Sequence, residues 1–130
     1  MQNIPLILTD KEHKLLSDHY ISADTPEFNR RRLFLELKNA RMVPQECMPL
    51  NVVCANSRVL VTNLDKRQTF SIRIVPSDYA ILPRNELSVT DPLVIALLGY
   101  AAGASTEWEM KDGINRLKVM SVWPIEDRHH

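Results

Sequence analysis

The hydrophobic period of this chain changes once, at a proline-bounded segment, Pro44-Gln45-Glu46-Cys47-Met48-Pro49. Before it, apolar residues recur every three to four positions, as an amphipathic helix requires; after it they alternate, as half-buried strands require. A chain patterned in this way is expected to be α+β. Residues 1–48 read as a short antiparallel helical hairpin with its linker, and residues 49–130 as an antiparallel sheet packed on one short helix.

In the helical part, Thr9-Asp10-Lys11-Glu12 forms a capping-box pattern, and Leu8, Leu15, Leu16 and Tyr20 follow at helical spacing. Asp24 or Thr25 is expected to cap a second helix, with Pro26 in its first turn and Glu27 completing another box. Its apolar stripe is Phe28, Leu33, Phe34, Leu37 and Ala40, which leaves Arg30, Arg31 and Arg32 facing water. The residue before Pro44 is pushed off helical angles, so the helix should stop there. These helices would have about twelve and about seventeen residues, roughly 18 and 25 Å long.

In the sheet part, Val59 and Val61 share one face of a strand from Ser57 to Asn63, and Phe70, Ile72 and Ile74 alternate with Ser71 and Arg73 after a turn. A loop from Pro76 to Pro83 and a short extended piece, Glu86 to Val89, come next. Asp91 and Pro92 open a helix from Leu93 to Leu98, apolar nearly all round, and Gly99 suits its left-handed end. Thr106, Trp108 and Met110 then alternate up to Asp112-Gly113, a two-residue hairpin signal, and Leu117 and Val119 return towards Trp123.

Charge narrows the function. Lys/Arg and Asp/Glu number sixteen each, seven of each sign through Cys47 and nine of each after it. No basic stripe appears, so direct sequence-specific nucleic-acid binding is not expected and a protein partner is. Cys47 and Cys54 lie too far apart in sequence for a common zinc pattern, and His13 and His19 fall on different helix faces, so no metal is expected. With glycine only at 99, 103 and 113 no phosphate-binding loop can be built, and no serine sits in a nucleophile elbow. No catalytic residue and no cofactor is therefore assigned. Trp108 and Trp123 read as core or sheet-face residues rather than a platform for bases. No apolar run approaches the ~20 residues that span a bilayer, and Met1 to Pro5 lacks a basic signal-peptide start, so a cytoplasmic monomer with reduced thiols is expected.

The string Leu87-Ser88-Val89-Thr90-Asp91-Pro92-Leu93-Val94-Ile95-Ala96-Leu97-Leu98-Gly99, followed by Gly103, resembles a signature of the GreA/GreB transcription-factor C-terminal domain. Asn56-Ser57-Arg58-Val59 and Asp112-Gly113 fall where that family has its first strand and last turn, so the resemblance runs from about Val52 to Trp123. It implies an FKBP-like domain that docks near the rim of the RNA polymerase secondary channel, with Ser88, Thr90, Asp91 and Pro92 as docking residues. It also implies an N-terminal coiled coil entering the channel, whose acidic tip in cleavage factors helps hold a catalytic magnesium. Asp18, Asp24 and Glu27 occupy the corresponding turn, where Asp24 and Glu27 read structurally as helix caps. The short hairpin resembles the branch of regulators of nucleoside diphosphate kinase, which implies a non-cleaving regulator that competes with GreA/GreB factors. Two alternatives follow: a role on nucleoside diphosphate kinase or another protein partner, and an FKBP-type prolyl isomerase. Phe70, Tyr79, Tyr100, Trp108 and Trp123 assemble no isomerase signature.

Overall fold

In chain order the elements are β1 (Ile7–Leu8), α1 (Asp10–Ile21), α2 (Glu27–Asn39), β2 (Arg41–Met42), β3 (Ser57–Asn63), β4 (Gln68–Val75), β5 (Glu86–Ser88), α3 (Pro92–Leu97), β6 (Ser105–Met110) and β7 (Gly113–Pro124). They come from a computed structural model that describes residues 5–75 and 86–125. The expected loop 76–83, with Tyr79, lies outside the described residues, as do residues 1–4 and 126–130.

The alternating segments form one five-stranded sheet in the order β5-β4-β3-β7-β6. Three of its pairings are antiparallel, as the pattern required. The fourth is not: β5 runs parallel to β4, with Arg73 beside Glu86 and Val75 beside Ser88. This parallel edge carries the chain from Ser88 straight into the start of α3. The β6–β7 turn also sits one residue earlier than the Asp112-Gly113 signal suggests. Met110 pairs with Gly113, so Lys111-Asp112 make the turn and Gly113 takes the positive φ (+117°) just after it. Between Leu60 and Val61 the register to β7 slips by one residue: Val61 faces Val119 and Leu60 faces Ser121, which leaves Met120 as a bulge.

The helical part holds a feature that periodicity did not reveal. β1 and β2 pair in parallel, the Arg41 amide donating to Leu6 O (2.8 Å) and the Val43 amide to Leu8 O (3.0 Å). Leu8 therefore belongs to a strand, not to a helix stripe. This pairing ends α2 at Asn39, well before Pro44; its 13 residues span about 20 Å, and the 12 of α1 about 18 Å. Gln45–Cys47 forms a single 3-10 turn. Leu6, Leu8, Leu16 and Leu33 share one core with Val59, Ile74, Leu97, Trp108 and Leu117.

The expected capping box of α1 is present, and it reaches further than a cap. Glu12 Oε1 accepts the Thr9 amide (3.2 Å), while Oε2 accepts the Ala55 amide (3.2 Å) just ahead of β3. Burial pushes the Glu12 carboxyl above its ordinary 4.5, against the hydrogen bonds from Thr9 and Ala55 that pull it down. A raised folded pKa means that the stabilisation is complete below the ordinary value and is lost as pH rises through the folded one. Glu12→Gln cannot accept from both amides and is expected to cost about 1–2 kcal/mol in acid. Its gap to the wild type should narrow as pH rises through the elevated pKa, which urea unfolding at a series of pH values will measure.

Candidate functional site

The turn between β5 and α3 is built by short polar side chains. Ser88 Oγ accepts the Thr90 amide (3.1 Å), the Ser88 and Thr90 hydroxyls are hydrogen-bonded to each other (2.8 Å), and the Asp91 amide donates to Ser88 O (3.0 Å). Asp91 Oδ1 then accepts the Leu93 amide (2.9 Å), and Pro92 starts the helix with its fixed φ. Four of the next residues, Val94 to Leu97, are buried, so the corner is anchored from below while Thr90 and Pro92 stay exposed. The sequence-predicted residues Ser88, Thr90, Asp91 and Pro92 thus come together as one fixed, outward-facing corner.

The three carboxylates of the helix pair do not assemble in this way. Asp18 lies in the last turn of α1 and is paired with Lys14 (3.3 Å), which offsets an acidic group at the negative end of a helix. Asp24 is exposed in the connection, and Glu27 pairs with Arg31 (3.1 Å) and Arg30 (3.9 Å). Among the described residues no three His, Cys, Asp or Glu side chains are grouped to hold a metal ion. Neither Asp24 nor Thr25 caps α2: Pro26 occupies the N-cap position without a side-chain bond. The Thr25 hydroxyl turns back instead and donates to His19 O (2.5 Å), because the carbonyls at the end of α1 need donors.

Arg30 and Arg32 do not face water as the run Arg30-Arg31-Arg32 suggested. Arg30 donates to the carbonyls of Tyr20 (2.6 Å), Ser22 (3.1 Å) and Thr25 (3.1 Å), closing the end of α1. Arg32 lies over the Trp108 ring (4.6 Å to its centroid) and donates to Thr106 Oγ1 (2.5 Å) and Glu107 O (2.9 Å). Asn29 does the same one turn earlier: its Nδ2 donates to Glu109 O (2.9 Å) and its Oδ1 accepts the Glu109 amide (2.7 Å). One turn later Glu36 accepts the Tyr100 hydroxyl (2.7 Å), and burial raises that phenol to about 12. Asn29 and Arg32 recur at helical spacing, so α2 covers the open edge of β6 with polar side chains, and Glu36 one turn on extends that polar stripe to Tyr100. The only signal in the sequence was that spacing, which is the same for a wetted face.

Phe34 (51% exposed) and Leu35 (57%) face outward with Tyr20, Glu27, Arg30 and Arg31 around a shallow groove of about 470 Å³. Phe34 thus leaves the apolar stripe in which its spacing placed it. Cys47 is exposed and Cys54 half-buried, with no disulfide between them. Among the described residues no helix is long and apolar enough to cross a membrane.

Comparison with known proteins gives a consistent result. The family described as "Transcription elongation factor, GreA/GreB, C-term" matches residues 48–124. The chain is 37% identical over 88 residues to the "Regulator of nucleoside diphosphate kinase" of Escherichia coli (strain K12), covering 67% of this chain and 65% of that protein. It is 31% identical over 86 residues to the "Transcription elongation factor GreA" of Clostridium kluyveri, covering 66% of this chain and 54% of that one. It therefore spans about half the length of the curated GreA relatives it matches. Among solved structures it is similar to a "Prokaryotic transcription elongation factor GreA/GreB from Nitrosomonas europaea", with a TM-score of 0.61 and 26% identity over 93% of this chain and 99% of that one.

Proposed function

The chain belongs to the GreA/GreB family of transcription elongation factors, and from that premise we propose that it is a transcription regulator that binds RNA polymerase near the secondary channel. In this reading it does not stimulate transcript cleavage, and it competes with GreA/GreB-type factors for the site. Residues 49–130 are the FKBP-like docking domain, and residues 1–48 are a shortened antiparallel hairpin with its linker. The protein acts as a cytoplasmic, non-enzymatic monomer, without sequence-specific contact to nucleic acid.

The observation that carries the reading is the corner Ser88–Pro92, fixed by its own hydrogen bonds, exposed at Thr90 and Pro92, and inside the segment the family matches. The short helices support a non-cleaving role. At about 18 and 20 Å they place Asp18, Asp24 and Glu27 close to the domain rather than far down a channel, and two of the three are already ion-paired.

Titration of core RNA polymerase, with and without a GreA-type factor, tests the reading. Competitive binding is expected. Asp91→Asn keeps the cap to Leu93 but removes the charge, and it should bind polymerase about tenfold more weakly with an unchanged unfolding midpoint. Robust stimulation of transcript cleavage, or no binding at all, would overturn the proposal.

A further inference from the structure

The outer face of the sheet carries a row of three side chains that lies outside the corner Ser88–Pro92. Register sets Arg73 of β4 beside Arg58 of β3, and Arg58 beside Trp123 of β7. Like charges directly opposite each other on a sheet repel unless something negative lies between them. Among the described residues neither guanidinium forms an ion pair, and Arg73 Nε is buried without a hydrogen-bond partner. Glu86 lies across from Arg73 on β5 and is buried, at the covered end of the row.

Trp123 reaches this face because of the bulge at Met120. Leu117 and Val119 are buried, and counting onward by twos would bury Trp123 with them. The extra residue reverses the parity: Val122 comes opposite the buried Val59, and Trp123 turns outward at 47% exposure. A tryptophan kept on the surface forgoes one of the largest burial gains of any side chain. Strands lie about 4.8 Å apart, so the midpoint between the two arginines is roughly 7 Å from the strand of Trp123. One nucleotide bridges that span between its phosphate and its base.

We propose that this row binds a phosphorylated nucleotide, its phosphate between the guanidiniums of Arg58 and Arg73 and its base stacked on Trp123. Guanidinium forks match phosphate oxygens bidentately, and ring stacking is indifferent to base identity. Two adjacent arginines suit a terminal phosphate, which carries more charge than a chain diester. The even charge of the remaining surface confines the contact to about one nucleotide. A free nucleoside phosphate and the 5′-phosphorylated end of a single-stranded RNA offer the same chemistry.

The purified full chain, without polymerase, is titrated with adenosine diphosphate, with 5′-phosphorylated hexauridylate and with the same oligomer ending in a 5′-hydroxyl, following tryptophan fluorescence. Because Trp108 is buried, quenching reports on Trp123 and should vanish in Trp123→Phe. Saturable quenching is expected, about tenfold weaker or more in Arg58→Ala, whose exposed position leaves the unfolding midpoint unchanged, and in half-buried Arg73→Ala, compared at a temperature where circular dichroism shows it folded. A stronger response to the phosphorylated oligomer than to adenosine diphosphate assigns an RNA end, and the reverse assigns a free nucleotide. No quenching by any probe, equal quenching by the 5′-hydroxyl oligomer, or quenching unchanged in Arg58→Ala/Arg73→Ala would overturn the proposal; none of these depends on whether polymerase is bound.

Discussion

Gly99→Ala is expected to destabilise the protein by about 2–5 kcal/mol, a large share of the roughly 5–15 kcal/mol that holds a domain of this size together. Two costs add. Gly99 ends α3 at φ +88°, where a Cβ strains the backbone, and an ideal Cβ would lie 2.8 Å from Leu8 Cδ2 and 2.9 Å from Leu6 Cβ. The neighbours have little room to give. The Ile7 amide donates to Gly99 O (3.1 Å) and the Gly99 amide to Val53 O (2.9 Å), so the residue is clamped between β1 and the segment ahead of β3. Urea unfolding should show a lower midpoint with an unchanged slope. Gly103→Ala is the control: its φ is +94°, but nothing lies within 4 Å of the added carbon, so it carries the strain alone, about 1–2 kcal/mol. Equal losses at the two positions would show that the close approach to Leu6 and Leu8 costs nothing.

That contact marks where the sequence stopped being readable. Alternation placed β3, β4, β6 and β7 within a residue or two, because each strand buries one face and its partner is the next run along the chain. Thr9 with Glu12, and Asp91 with Pro92, were legible because a cap acts within one turn. The corner Ser88–Pro92 was legible for the same reason: its side-chain hydrogen bonds join residues two apart, and only the Val89 amide reaches across the sheet, to Val75 O (3.1 Å). What local pattern cannot carry is a partner chosen across the fold. Leu8 looked helical because its spacing to Leu15 is helical, yet the backbone of residues 41–43 claims it for a strand. Met120 became a bulge through its partner strand, and a count by twos on β7 alone points Trp123 the wrong way. Arg32 read as solvated because its acceptors, Thr106 and Glu107, stand 74 and 75 residues further on.

Asn29 offers the sharpest test of that long-range stripe. Its amide replaces a missing strand at the edge of β6, giving and taking one hydrogen bond at Glu109, and the side chain is almost wholly buried (1% exposed). Asn29→Ala removes both partners at once and leaves a backbone N–H and C=O under a helix, where water reaches them poorly. The expected loss is about 2–4 kcal/mol, with faster hydrogen exchange at the Glu109 amide. Asn29→Asp separates the two bonds. It can still accept from the Glu109 amide, but it sets a carboxylate against Glu109 O and should cost at least as much as alanine. The loss should also grow as pH rises and the new carboxyl ionises, since a group ionised less readily in the folded state destabilises it above its ordinary pKa. A Glu109 amide that stays protected in both variants would mean that Arg32 and the core contacts of Leu33 hold α2 on the sheet without Asn29.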